Sequence, residues 1–266
     1  MIIPEPNRTP WDLKWRMFNV PVRVHPGFWF VALCFSYDSH RPFALVVITI
    51  ACMFVSILVH EFGHALCGRH YGDNQNRTVL YTMGGLCVSG RGVPERWPRI
   101  NQLLWGPGAG FILGAVPTAL YIAWYYDYIQ INNVYVVWML SQMMWINLVW
   151  GIVNLFPVFP LDGGQICREI IRWKASNHGD LLSLTISIYT AIGMAVAWLA
   201  YLVYLNSRGY QFDLRELWPV LLFGSLAYSS FRARQQVLMY GEMEGYPSER
   251  REAWERDPDW WKHGGR

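Results

Sequence analysis

A chain of 266 residues with 53% hydrophobic and only 15% charged residues falls well short of the roughly one-quarter charge content of soluble domains, and the deficit points to a membrane protein. A net charge of +3, with no cationic run interleaved with aromatic residues, argues against nucleic acid as a partner. The cysteines, Cys34, Cys52, Cys67, Cys87 and Cys167, are odd in number and form no CxxC pair, which argues against a disulfide framework.

Residues 1–24 are polar and basic, with Arg8, Lys14, Arg16 and Arg23 outweighing Glu5 and Asp12, and read as a cytoplasmic N-terminal segment. No apolar stretch follows a basic start, so no cleavable signal peptide is expected. Gly27 to Tyr37 is apolar but shorter than the ~20 residues a spanning helix needs, and either extends back through Val20 or re-enters. His25, just before it, reads as an interfacial residue.

The apolar run from Phe43 to His70 closes on His60, Glu61 and His64. At about 100° per residue, the two histidines lie roughly 40° and one turn apart on a helix, so both imidazoles can reach one ion. Glu61 adjoins them, where a carboxylate can take a proton from water in a hydrolytic metal site. HExxH alone is a moderate signal. Here three ionisable groups follow a hydrocarbon-length run, where each unpaired charge costs about 2.5 to 3.5 kcal/mol. Cys52, Ser56, His60, His64 and Cys67 form a small and polar stripe that should face protein.

A linker from Tyr71 to Gln102 follows, in which TVLYTMGGLCVSGRG alternates around Gly84 and Gly85 and predicts a β-hairpin. Leu103 to Tyr126 predicts a span, with Gly106, Gly110 and Gly114 baring one face for close helix packing. Residues 134–156 predict the next, with Asn147, Gly151 and Asn154 on one face, and Leu181 to Leu205 another. Leu217 to Phe231 is a shorter segment before a charged cytoplasmic tail, 232–266, whose Trp254, Trp260 and Trp261 rest at the lipid interface or are disordered.

The fold class expected is therefore an all-α polytopic membrane protein of about six transmembrane helices, four long and two short, with a small β-hairpin after the HExxH helix. Residues 25–231 would form the membrane domain. The arginine-rich linkers 69–101 and 157–180 fall inside, and the turn from Asp127 to Asn133, without Lys or Arg, falls outside. Both termini are then cytoplasmic, and four crossings result if the two short segments do not span. The HExxH helix and the 134–156 helix run in the same direction, so their ends meet at similar depth. Just beyond the second, NLFPVFPLDGGQ breaks the helix at Pro157 and Pro160 and presents Asp162 before two glycines. An aspartate there can fold back to the histidines. Two His and one carboxylate leave a fourth position for water, as a hydrolytic zinc site requires. Cys67 and His70 are competing third ligands, although on an unbroken helix His70 lies roughly 240° from His64.

HEFGH at 60–64 and NLFPVFPLDGG at 154–164, with GPGAG at 106–110 as a weaker third match, resemble the site-2 protease family of intramembrane zinc metalloproteases, in its compact form without a PDZ or CBS domain. The resemblance implies one Zn2+ on His60, His64 and Asp162, Glu61 as the residue that activates water, and Asn154 as a holder of substrate or oxyanion. It implies cleavage of peptide bonds in or near transmembrane segments of membrane-protein substrates (regulated intramembrane proteolysis); the chain's compactness suggests a bacterial cytoplasmic membrane, and the charge asymmetry places the site near its cytoplasmic face. A substrate segment would unwind and add as a strand to the hairpin near Gly84 to Val88. The alternatives are a metal or proton transporter, or an inactive relative that binds membrane clients. A relay should continue through other spans, yet Leu103 to Tyr126, Val134 to Phe156 and Leu181 to Leu205 hold no Asp, Glu, Lys, Arg or His.

Overall fold

The computed structural model describes residues 5–38, 41–90, 92–174, 179–210 and 214–244. Two compact units divide the chain, Met1–Ile170 and Ile171–Arg266. The tail tryptophans Trp254, Trp260 and Trp261 lie outside the described residues.

In the first unit, β1 (Leu13–Met17) and β2 (Val20–Val24) precede α1 (Pro26–Ser36) and α2 (Phe43–His70). Then come β3 (Arg77–Tyr81), β4 (Gly84–Val88), α3 (Arg96–Tyr125) and α4 (Val134–Met144). A π-helical turn, Trp145–Val149, joins α4 to α5 (Trp150–Asn154), and α6 (Asp162–Lys174) follows the double-proline break. The second unit holds α7 (Gly179–Ser207) and α8 (Trp218–Glu244).

Among the described residues, four helical segments are long and apolar enough to cross a membrane: Phe43–His70, Arg96–Tyr125, Val134–Asn154 and Gly179–Ser207. Of the two short expected spans, the first is the 11-residue α1, and the second begins a 27-residue helix, α8, that does not meet the same measure. His25 caps α1: its Nδ1 accepts from the Gly27 N–H at 3.0 Å, supplying a partner for one of the orphan amides of the first turn.

The expected hairpin exists as β3 and β4, but it is half of a four-stranded sheet in the order β1-β2-β3-β4. β2 and β3 pair in parallel, Val22 opposite Thr78 and Val24 opposite Leu80, while the outer pairs are antiparallel. The sheet thus takes in Leu13–Met17 and Val20–Val24 as well as the expected hairpin, which corrects the expectation of a fold all-helical apart from one hairpin. The sheet buries Val20, Val22, Val24 and Leu80 against Phe28 and Ala32 of α1 and Leu58, Phe62 and Ala65 of α2. Burial of such side chains, about 1.5 to 3 kcal/mol each, ties the sheet to the half of α2 that carries the histidines. Its other side is clasped by residues 5–12: Arg23 pairs with Glu5 at 3.0 Å and Asp12 at 3.1 Å, and Glu5 also pairs with Arg77.

Candidate metal centre

His60 and His64 lie one turn apart on α2, and Asp162 opens α6. The chain reverses between α5 and α6 with close backbone contact: a Cβ on Gly163 would lie 2.0 Å from the Leu155 carbonyl oxygen. Only glycine permits that approach, and it brings the start of α6 back to the end of α5. The result is a near-equilateral triangle. Asp162 Oδ2 lies 3.2 Å from the Nε2 of His60 and 3.2 Å from that of His64, and the two Nε2 atoms are 3.2 Å apart. A tetrahedral ion with bonds of 2.0 to 2.1 Å separates its ligand atoms by about 3.3 Å, so the triangle has the size of a metal's face.

The neighbours favour a cation there. His64 Nδ1 lies 2.8 Å from the Gln102 backbone carbonyl, an acceptor, which requires the ring proton on Nδ1 and leaves a lone pair on Nε2 in the neutral ring. Gln102 returns the contact, its side-chain amide donating to the His64 carbonyl at 3.3 Å. Lone pairs of the imidazoles and a carboxylate oxygen therefore face one another in a largely buried place, an arrangement that a shared cation relieves. Asn154 donates from Nδ2 to Asp162 Oδ2 at 2.5 Å and stands 3.3 Å from His60 Nε2, so it holds the carboxylate in the triangle.

Glu61 is buried between α2 and β4, with the Cys87 backbone hydrogen-bonded to it. It sits directly on Gly85, where a Cβ would come within 2.4 Å of its Oε1. The competing ligands are not part of the cluster: among the described residues the only metal-capable group is His60, His64 and Asp162. His70 is exposed and meets the Tyr71 ring edge-on, with centroids 5.1 Å apart.

Sequence reading treated the glycine face of α3 as packing alone. It packs two different neighbours. Gly106 lies under the His64 ring, where a Cβ would fall 2.1 Å from Nε2, while Gly114 faces Asn147 of the π-helical turn. Asn147 in turn donates to Ser56 Oγ at 2.9 Å, one helical turn before His60. The Gln102 carbonyl was missed altogether, because a backbone acceptor leaves no mark in sequence.

Apolar spans that bring two imidazoles and one carboxylate together define a multi-pass membrane protein with a candidate metal centre. The model of peptidase family M50 matches residues 121–200, a stretch that contains Asn154 and Asp162 but not HEFGH. A zinc metalloprotease of Methanocaldococcus jannaschii is 28% identical over 191 residues, which cover 68% of this chain and 54% of that protein. Stage IV sporulation protein FB of Bacillus subtilis is 25% identical over 154 residues, covering 58% and 48% respectively. The chain thus spans about half the length of these relatives. Among solved structures, a site-2 protease from Methanocaldococcus jannaschii shares the fold, with a TM-score of 0.53, 20% identity, and coverage of 84% of this chain and 95% of the other. The resemblance to site-2 proteases drawn from HEFGH and NLFPVFPLDGG is thereby met by the family model, the relatives and the fold.

Proposed function

We propose that the chain is an intramembrane zinc metalloendopeptidase that hydrolyses peptide bonds in or near transmembrane segments of membrane-protein substrates. The observation that carries this reading is the triangle of His60, His64 and Asp162, with ligand atoms 3.2 Å apart and Glu61 on the adjoining face. The donor set fits one Zn2+ with a position left open. When bound, Zn2+ supplies Lewis acidity toward water and toward a substrate carbonyl.

The remaining chemistry belongs to the chain. Glu61 accepts the proton of the attacking water on its carboxylate and returns it to the nitrogen of the departing amine. Its position against Gly85, beside β4, puts that carboxylate next to the outer strand of the sheet. β4 has no strand beyond it among the described residues, so an unwound substrate segment can add there and present a carbonyl otherwise hidden in its own helix. Asn154, with its amide 2.5 Å from Asp162 Oδ2, orients that ligand and stands near enough to meet a developing oxyanion.

In this reading residues 25–231 form the protease domain, crossing six times, flanked by the cytoplasmic segments 1–24 and 232–266. The active site opens near the cytoplasmic face of a bacterial membrane, where water is close. The test is co-expression of the wild type or Glu61→Gln with a readout of membrane-protein fragments. Fragments that arise only with the wild type, while Glu61→Gln keeps its fold and zinc, are expected. Full cleavage by folded, zinc-loaded Glu61→Gln contradicts the assignment.

A further inference from the structure

The polar stripe of α2 begins before the histidines, at Cys52 and Ser56, and these two buried side chains have no part in the metal centre. They face the span Val134–Asn154, and polar contacts join the two segments at intervals along their length. Trp138 donates from Nε1 to Thr49 Oγ1 at 2.9 Å, and the Cys52 thiol approaches the Met139 carbonyl at 4.0 Å. Asn147 donates from Nδ2 to Ser56 Oγ at 2.9 Å, and Asn154 Nδ2 stands 3.3 Å from His60 Nε2. The partners advance together along both segments, so the two run in parallel and the series ends at the metal centre.

Asn147 is the most tightly held member of the series, and only 3% exposed. Its amide also donates to the Met143 carbonyl at 2.8 Å, inside the π-helical turn, where the Trp150 N–H reaches the Trp145 carbonyl five residues back. From the third side α3 closes over it: a Cβ on Gly114 would fall 2.7 Å from Asn147 Cβ. The Ser56 hydroxyl is fixed as well, accepting from Asn147 and donating to Met143 Sδ at 3.8 Å. Ser56 lies one turn before His60 on α2, so whatever holds Ser56 also holds the ring that follows it.

Register is what the triangle needs. Its histidines stand on one span and Asp162 lies beyond the end of another, and apolar side chains in lipid give little that fixes how two spans slide or rotate. A rotation of α2 by about 10° carries a ring nitrogen about 5–6 Å from the helix axis through about 1 Å. That is a third of the triangle's 3.2 Å edge. We propose that Asn147 and Ser56 are positioning residues: their hydrogen bond sets the rotation and height of α2 against the span Val134–Asn154, and so places His60 and His64 opposite Asp162. Selecting one register is the best-attested use of a buried polar pair. The inference rests on the reading of the triangle as a zinc site, and is independent of whether the chain cleaves peptides.

The test measures, on the full chain in detergent, Zn2+ affinity by chelator competition, the visible spectrum of bound Co2+, and thermal unfolding of the metal-free protein. The double variant Ser56→Ala, Asn147→Leu keeps the volume of the pair and removes both ends of its hydrogen bond, so neither side chain is left as an unpaired polar group. Its metal-free form is expected to unfold within a few degrees of the wild type. Its Zn2+ affinity falls about tenfold, the scale of the stronger polar contacts between membrane helices, and the Co2+ bands shift or weaken as the ligands part. Ser56→Ala alone, the loss of one oxygen atom, lowers affinity about threefold. Wild-type affinity and a wild-type Co2+ spectrum in both variants overturn the proposal. So does an affinity that falls only along with the unfolding temperature while the Co2+ spectrum stays unchanged, the signature of a merely structural role. A wild type that takes up no Zn2+ overturns the metal-centre reading and this inference with it, whereas unchanged variants of a zinc-binding wild type overturn this inference alone.

Discussion

Gly106→Ala places a single methyl group against the proposed metal centre from a neighbouring helix. The new Cβ would lie 2.1 Å from His64 Nε2 and 2.3 Å from Cε1, against an ordinary contact distance of 3.4 Å or more. The ring or the helix must therefore yield by roughly 1.3 Å, more than a ligand set 3.2 Å on edge absorbs. The ring cannot swing aside freely, because its Nδ1 is tied to the Gln102 carbonyl on the same helix as Gly106. A misplacement of this size at a reacting centre costs on the order of 10²-fold in rate, and moving a ligand out of reach lowers zinc content as well. The assay is zinc per purified chain together with cleavage of a membrane substrate. The same motif supplies the controls. A Cβ on Gly108 meets nothing within 4 Å, and one on Gly110 makes only ordinary contacts with Asn147, at 3.6 Å to Oδ1 and 3.9 Å to its carbonyl oxygen, so Gly108→Ala and Gly110→Ala should retain zinc and activity. Gly106→Ala with full zinc and cleavage close to wild type would refute the packing of α3 on His64.

Three further outcomes follow from the same geometry. Asn154→Ala removes the amide that holds Asp162 and should lower cleavage or zinc affinity about 10- to 100-fold; competition with a chelator and initial rates measure it. Gly85→Ala drives a Cβ to 2.4 Å from Glu61 Oε1 and should impair cleavage with zinc retained, in contrast to Gly106→Ala. The N-terminal clasp should be acid-sensitive. Burial raises the Asp12 pKa, but hydrogen bonds from Thr9 and the Arg23 guanidinium outweigh it and hold the carboxyl down at about 2, from an ordinary 3.8. A carboxyl depressed in the folded state stabilises it in full above 3.8, and that contribution disappears as pH falls through about 2. Thermal unfolding in detergent should therefore fall more steeply over that interval for the wild type than for Asp12→Asn.

The parts of this arrangement that sequence reveals are those written locally. His60, Glu61 and His64 announce a helix face through their spacing, and Asp162 follows a double-proline break that turns the chain back. The four long apolar helices are visible for the same reason, since length and hydropathy are properties of a continuous stretch. The sheet is less visible because its central pairing is not local. β2 meets β3 in parallel across α1 and α2, and five-residue strands such as LKWRM and VPVRV carry little signal of their own. The π-helical turn at Trp145–Val149 leaves no pattern in an apolar run. Gly106 was visible as a member of a glycine stripe, but its contact with His64 depends on how α3 crosses α2, which no spacing within α3 encodes.

The central claim is that two separate spans deliver His60, His64 and Asp162 to one ion. Zinc content of the purified chain and its ligand variants tests it most directly. One zinc per wild-type chain, lost in Asp162→Ala and in His64→Ala but kept in His70→Ala and Cys67→Ser, is the predicted result. Zinc retained in full by Asp162→Ala and lost in His70→Ala or Cys67→Ser would contradict it.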